Sequence, residues 1–332
     1  MTKKNIFITG GAGYCGSRLV PILLELGHRV TVYDLFYFGD HLPKNNKDLT
    51  LINGDIRDSK KIEQSCKSHD VFLNLACISN DSSFELDEKL STSINLDSFE
   101  PMVMAAKNNG IKRFIYASSS SVYGVSDQKN VTEDHPLLPL TLYNKYKGMC
   151  EPLLLNNTDN NFIGTIFRPA TVCGYAPRMR LDLSVNILTT HAIVNDKILV
   201  FGGNQLRPNL HVLDYCEAIL ELINADDNKI KNQIFNIGYE NMSIMNIARL
   251  VQKIVKTEFN KEIELEVQES NDNRSYHINS DKVFNTLNFK PKRNIEYAVK
   301  ELCDRFKSGE IPNPFSDENY YNVKTLKRIN AR

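Results

Sequence analysis

The chain has 332 residues, long enough for one large or two moderate domains around an ample core. Forty basic and forty acidic residues cancel, which removes the electrostatic case for a nucleic-acid or anionic-membrane partner. There is no signal-like apolar leader and no apolar run near the ~20 residues that span a bilayer. Seven scattered cysteines without a Cys-x-x-Cys pair read as free thiols of a cytoplasmic protein.

Residues 5–9 form a short apolar run that breaks into Gly10-Gly11-Ala12-Gly13-Tyr14-Cys15-Gly16. Gly10, Gly13 and Gly16 recur every third residue, and Gly11, Gly13 and Gly16 also fit Gly-x-Gly-x-x-Gly. A strand ending in such a turn lets the backbone approach a pyrophosphate, and the helix that follows aims its N-terminal N–H groups at the charge. The turn residues Gly10, Gly13, Tyr14, Cys15 and Gly16 are therefore candidate dinucleotide contacts. Cys15 is read as a packing thiol. Leu19, Val20, Leu23 and Leu24 predict a helix over 17–26, stopped at Gly27. A second strand, 29–33, ends in Asp34, placed to accept from the adenosine ribose hydroxyls. Its charge repels a 2′-phosphate and no arginine follows directly, so NAD is expected rather than NADP.

Further strand-like runs lie at 49–52, 71–75, 113–117 and 162–167, with helices at 92–108 and 143–155. The alternation predicts an α/β fold, a doubly wound parallel sheet with helices on both faces. After Gly174 the pattern loosens. Residues 175–210 open as a basic loop and then hold a helix (183–194), a short strand near Leu199 and a Gly202-Gly203 turn. Helices are expected at 214–223, 245–257, 281–288 and 294–307, and a strand at 233–237. The polar tail after Pro312 is expected to lie over the surface. Residues 1–174 with about 213–241 are assigned to a Rossmann-type domain. About 175–212 and 242–332 form a smaller mixed α/β substrate domain.

Serines crowd the end of the strand at 113–117, in Ser118-Ser119-Ser120-Ser121, the end that faces the ligand crevice in open sheets. Tyr143 and Lys147 stand four apart on one helix face. A free phenol, with pKa ~10, is a poor base at neutral pH. A nearby ammonium and a positive nicotinamide ring favour the phenolate, and a strand-end serine can steady the developing oxyanion. The seven histidines show no metal-ligand spacing, so no metal is expected.

In this order and spacing the motifs resemble the extended short-chain dehydrogenase/reductases of the sugar-nucleotide epimerase/dehydratase type, UDP-galactose 4-epimerase among them. The residues that carry the likeness are Thr9–Gly16, Asp34, 54–58 (Gly-Asp-Ile-Arg-Asp), Leu75-Ala76, Asn95, the serine run with Val122-Tyr123-Gly124, Thr132–Asp134, Tyr143 with Lys147, Arg168-Pro169 through Gly174, and Arg207 with His211 and Asp214. The resemblance implies Asp55 and Ile56 at the adenine and Ala76 and Cys77 along the cofactor. Asn95 and Arg168 would join the cofactor contacts, with Lys147 on the nicotinamide ribose. It implies Tyr143 as base with Ser119 as its hydroxyl partner, and Ser119, Ser120, Tyr143, Thr171, Arg180, Asn186, Arg207 and Arg274 on a nucleoside-diphosphate sugar. Arg207 and Arg274 would take the diphosphate, guanidinium being suited to it, and Arg178 with Arg180 a further clamp. His211 is read as a structural strand residue. A homodimer through 92–108 and 143–155 is also implied.

Family dehydratases and decarboxylases carry an acid just before Val-Tyr-Gly, where this chain has Ser120 and Ser121. That favours a 4-epimerase: C4 is oxidised to a keto sugar that turns in the pocket and is reduced again. A 4-dehydrogenase releasing the ketone, a 4,6-dehydratase and a non-catalytic dinucleotide sensor or scaffold are the alternatives. Thr171 stands where many relatives have a substrate-facing asparagine, which leaves the sugar open.

Overall fold

The structure, a computed structural model, describes residues 2–128, 130–269 and 275–331. Its strands run β1 (Asn5–Thr9), β2 (Arg29–Asp34), β3 (Leu49–Asn53), β4 (Val71–Asn74), β5 (Arg113–Ala117), β6 (Ile163–Pro169), β7 (Thr171–Cys173), β8 (Lys197–Phe201), β9 (Leu206–His211), β10 (Gln233–Ile237), β11 (Glu240–Ser243) and β12 (Glu264–Gln268). Seven of them form one sheet in the order β10-β6-β5-β4-β1-β2-β3, every pair parallel. The order reverses between β1 and β4, and ligands of open parallel sheets bind beyond the strand ends at such a reversal.

β1, β4 and β5 are apolar on both sides because helices cover both faces. Side chains alternate along β1. Ile6 and Ile8 join Leu19, Val20 and Leu23 of the helix Tyr14–Glu25 and Ile219 and Leu222 of the helix Val212–Asn224. Phe7 joins the opposite layer with Phe72, Phe114, Met102, Val103 and Leu154, and Phe72 stacks on Phe114 with ring centres 4.7 Å apart. This is the expected doubly wound, Rossmann-type sheet.

Two minor sheets, β11-β9-β7 and β12-β8, accompany it. The helices Ser184–Asn195, Ile244–Phe259 and Ile295–Lys307 enclose a core of Val185, Ile198, Val200, Ile247, Val251 and Val299.

Three expectations change. The first helix begins at Tyr14, capped by Gly13, so the glycine turn leads straight into it. The helix expected over 92–108 is composite: Glu88–Thr92, a π-turn at Ser93–Asp97, then Phe99–Asn108. The tail does not simply lie over the surface. It forms a helix, Asn322–Arg328, with Asn322, Thr325 and Leu326 buried. Its polar side chains find partners inside, which hydropathy alone does not reveal.

Candidate active site

A cleft of about 830 Å³ opens beyond the C-terminal ends of β1, β2, β4 and β5. Its floor is the glycine turn. Gly10 adopts φ +74°, and a Cβ there would collide with the Ala76 main chain, so the turn lies directly against the loop after β4. At Gly16 a Cβ would run into the Gly11 carbonyl. The helix Tyr14–Glu25 has no side-chain cap, and its leading N–H groups are left for a ligand. Gly10, Gly13, Tyr14, Cys15 and Gly16 all line the cleft. Burial pushes the Cys15 thiol up to about 12, which keeps it inert.

At the end of β2, the Asp34 carboxylate accepts from the Ala12 N–H at 3.0 Å and from the Phe36 N–H at 2.8 Å. Burial raises its pKa against those N–H groups. The bonds fix the carboxylate, and Asp34 lines the cleft. Asp55, Ile56, Ala76 and Cys77 line the same cleft. Burial works upward on Asp55, but its fork with Arg57 outweighs this and holds the carboxyl low. Tyr33 donates to the Asp55 carbonyl at 2.9 Å. An uncapped helix N-terminus offers donors and the Asp34 carboxylate an acceptor, a pairing suited to a diphosphate and a ribose.

Tyr143 and Lys147 line the cleft from the helix Leu142–Leu155, whose cap, Thr141, donates to Asp81 at 2.6 Å. The Lys147 ammonium donates to the Ala117 carbonyl at 2.8 Å and lies 5.2 Å from the Tyr116 ring centre. Ser119 and Ser121 share a hydroxyl bond of 2.7 Å, and Ser121 donates on to Asn144 Oδ1. Ser120 lines the same wall. Burial drives the Tyr143 phenol well above its ordinary pKa, Cys77 and Asp81 add to the push, and Arg180 is the cation that opposes it.

Three expected contacts change: the side chains of Asn95, Arg168 and Asn186 are engaged with the protein and are not among the residues that line the cleft. Asn95 clamps Ile78 with both amide atoms, at 2.8 and 2.9 Å. Arg168 forks onto Glu151 at 2.9 and 2.6 Å and donates to the Tyr123 hydroxyl at 2.6 Å. Asn186 accepts from the Gly174 N–H at 3.0 Å and donates to Tyr14 and to the Arg180 carbonyl. These residues hold loops that shape the cleft from behind.

Thr171, Arg180 and Arg207 do line it; Thr171 lies 3.5 Å from the Tyr276 hydroxyl, and the Arg207 guanidinium 5.2 Å from that ring's centre. Arg274 lies outside the described residues. His211 accepts the structural part, pairing with Glu301 at 2.9 Å and capping the Leu213 N–H. The sequence reading missed Ser79, Asp81, Asp182, Tyr276 and Asn322 as lining residues. Only the polar character of their segments could have pointed to them.

A family model described as NAD dependent epimerase/dehydratase family matches residues 6–238. The chain is 32% identical over 271 residues to a UDP-N-acetyl-alpha-D-glucosaminuronate decarboxylase of Bacillus cytotoxicus, covering 76% of this chain and 80% of that one. It superposes on the UDP-glucose 4-epimerase of Thermotoga maritima with a TM-score of 0.81 at 23% identity, over 92% of this chain and 99% of that one. It also superposes on the dTDP-glucose 4,6-dehydratase DesIV of Streptomyces venezuelae, solved with NAD, with a TM-score of 0.81 at 18% identity, over 93% and 99%. The protein belongs to the NAD-dependent epimerase/dehydratase family, enzymes of sugar nucleotides that include epimerases, dehydratases and decarboxylases. Among the described residues, no helix is long and apolar enough to cross a membrane, and no group of three His, Cys, Asp or Glu side chains could hold a metal.

Proposed function

We propose that the protein is a nucleotide-sugar 4-epimerase. The observation that supports this reading best is the row Ser119-Ser120-Ser121, neutral hydroxyls of which Ser119 bonds Ser121 and Ser121 bonds Asn144. Such a row can hydrogen-bond a C4 oxygen but cannot protonate a leaving hydroxyl. NAD⁺, when bound, would supply a hydride acceptor. Tyr143 would take the C4 hydroxyl proton on oxidation of C4 and return it on reduction. Lys147, held by the Ala117 carbonyl, orients the ribose beside it, and Ser119 or Ser121 steadies the C4 oxygen. Arg207, next to Tyr276, receives the sugar nucleotide's diphosphate.

Water loss is the second reading, and Asp81 favours it: this carboxylate lines the cleft and its charge bears on Tyr143. Incubating UDP-, dTDP- and GDP-hexoses with the purified protein, without added NAD, separates the two. The epimerase reading expects a C4 epimer at constant NADH absorbance; a product lighter by one water supports elimination, and accumulating ketone with NADH supports a dehydrogenase. Tyr143→Phe is expected to lower kcat by about a hundredfold to ten-thousandfold while bound NAD is retained. Unchanged turnover in that variant defeats Tyr143 as the base, whereas no turnover of any sugar nucleotide by the wild-type protein leaves the sensor. A homodimer through the helices Phe99–Asn108 and Leu142–Leu155, where Met104 and Met149 are exposed, is part of the same proposal and is checked by light scattering.

A further inference from the structure

Two arginines of the Pro-Arg-Met-Arg run enter the cleft with donors left over. Arg178 is 3% exposed and Arg180 8% exposed, and both line the cleft. Nε of Arg178 and Nη2 of Arg180 are buried without a hydrogen-bond partner among the described residues. A buried guanidinium N–H left unmade is costly. The carboxylate of Asp182 bonds Arg180 at 2.9 Å, whereas the Arg178 head donates to a neutral amide. Burial and the adjacent Arg180 charge press the Arg178 pKa down, against the charges of Asp182 and Asp34. An anion would complete the site.

Its position says which anion. The Arg178 main chain donates to Ser17 Oγ at 3.1 Å, in the first turn of the helix whose N-terminus is uncapped. Its guanidinium lies 3.9 Å from the ring centre of Phe38, in the loop that leaves Asp34. Arg207, by contrast, stands with Tyr276. The Arg178 head is fixed from a third direction: Nη2 donates to Asn322 Oδ1 at 2.6 Å. Asn322 donates in turn to Ser79 Oγ at 2.9 Å, and its own N–H meets Asp182 at 3.1 Å. Arg180 reaches the same Ser79 hydroxyl at 3.1 Å.

We propose that Arg178 is a further ligand of the dinucleotide's diphosphate, acting with the N-terminus of the helix Tyr14–Glu25, and that Asn322 is the residue that positions it. This goes beyond the epimerase reading and holds for any reaction the family performs. The portion of the chain assigned to the sugar nucleotide thereby also secures the cofactor.

Titration calorimetry on full-length protein stripped of nucleotide tests this, with ADP-ribose, adenosine and UDP as probes and a thermal melt beside each. Arg178→Met keeps the packing over Phe38 and removes the donors. It is expected to weaken ADP-ribose by about tenfold to a hundredfold and to leave adenosine unchanged. Arg178→Lys should weaken it less, and Asn322→Ala, which leaves every charge in place, severalfold. Equal ADP-ribose affinities across these variants overturn the proposal, whatever their melting temperatures. A loss confined to UDP also overturns it and moves Arg178 to the substrate. Wild-type protein that binds no ADP-ribose overturns it as well, and it marks the failure as that of the dinucleotide site itself, whereas an epimerase reading that fails leaves the ADP-ribose result standing.

Discussion

Glu151 and Arg168 bury opposite charges side by side, each side chain 3% exposed. Glu151 accepts a further bond from Ser118 at 2.6 Å, and Arg168 reaches the Tyr123 hydroxyl and the Glu133 carbonyl. The pair joins the helix that carries Tyr143 to β6, and through Ser118 to the serine row. Removing one partner of a buried pair strands the other charge. Arg168→Met is therefore expected to cost about 3–5 kcal/mol in urea unfolding, and Glu151→Leu in the same chain to recover most of it. At this scale the glycines, Asp34, Tyr143 and Lys147 were legible in sequence because their meaning lies in short fixed spacings. Arg168, Asn95 and Asn186 were legible as motif members but not as inward-facing supports. Whether a side chain points into a cleft or behind it depends on strands far apart in sequence.

Elements with one strong period were readable to within a few residues: the main-sheet strands and the helices Tyr14–Glu25, Leu142–Leu155 and Ile244–Phe259. Weakly patterned ones were not. β9 mixes Arg207, Pro208 and Asn209 into six residues, and β7 has only three. The tail helix Asn322–Arg328 has seven residues, too few for a period to show, and it earns its place by contacts with Ser79 and Asp182 rather than by pattern. The turn-to-helix junction sets a testable tolerance. Because a Cβ at Gly16 meets Gly11 backbone, which cannot swing aside as a long side chain can, Gly16→Ala should displace the helix N-terminus. The expected result is NAD affinity lowered at least tenfold, read by equilibrium dialysis, with far-UV circular dichroism nearly unchanged.

For the molecule as a whole, equal numbers of acids and bases leave pH to act through particular pairs. Glu301 links the minor sheets to the loop at Tyr175, bonding His211 at 2.9 Å and the Tyr175 N–H at 2.8 Å. Burial works upward on its carboxyl, yet the His211 bond and charge outweigh it and hold the pKa below the ordinary value. A carboxyl lowered in the folded state stabilises above its unfolded pKa, ~4.3 for glutamate, and that contribution fades as pH falls through the folded value. Glu301→Gln should thus be less stable than wild type by about 2 kcal/mol at neutral pH. The gap should close below pH ~4 when melting temperatures are compared across a pH series.

The bond from Asn322 to Ser79 spans 243 positions of the chain. Contacts of such separation carry a heavy loop-closure cost and form after local structure has condensed. The Arg178 cradle is therefore among the late parts of the molecule to assemble, and thermal or chemical stress should open it early. A nucleotide held there would draw folded and occupied states together by mass action, so the melting temperature would climb with the concentration of added dinucleotide.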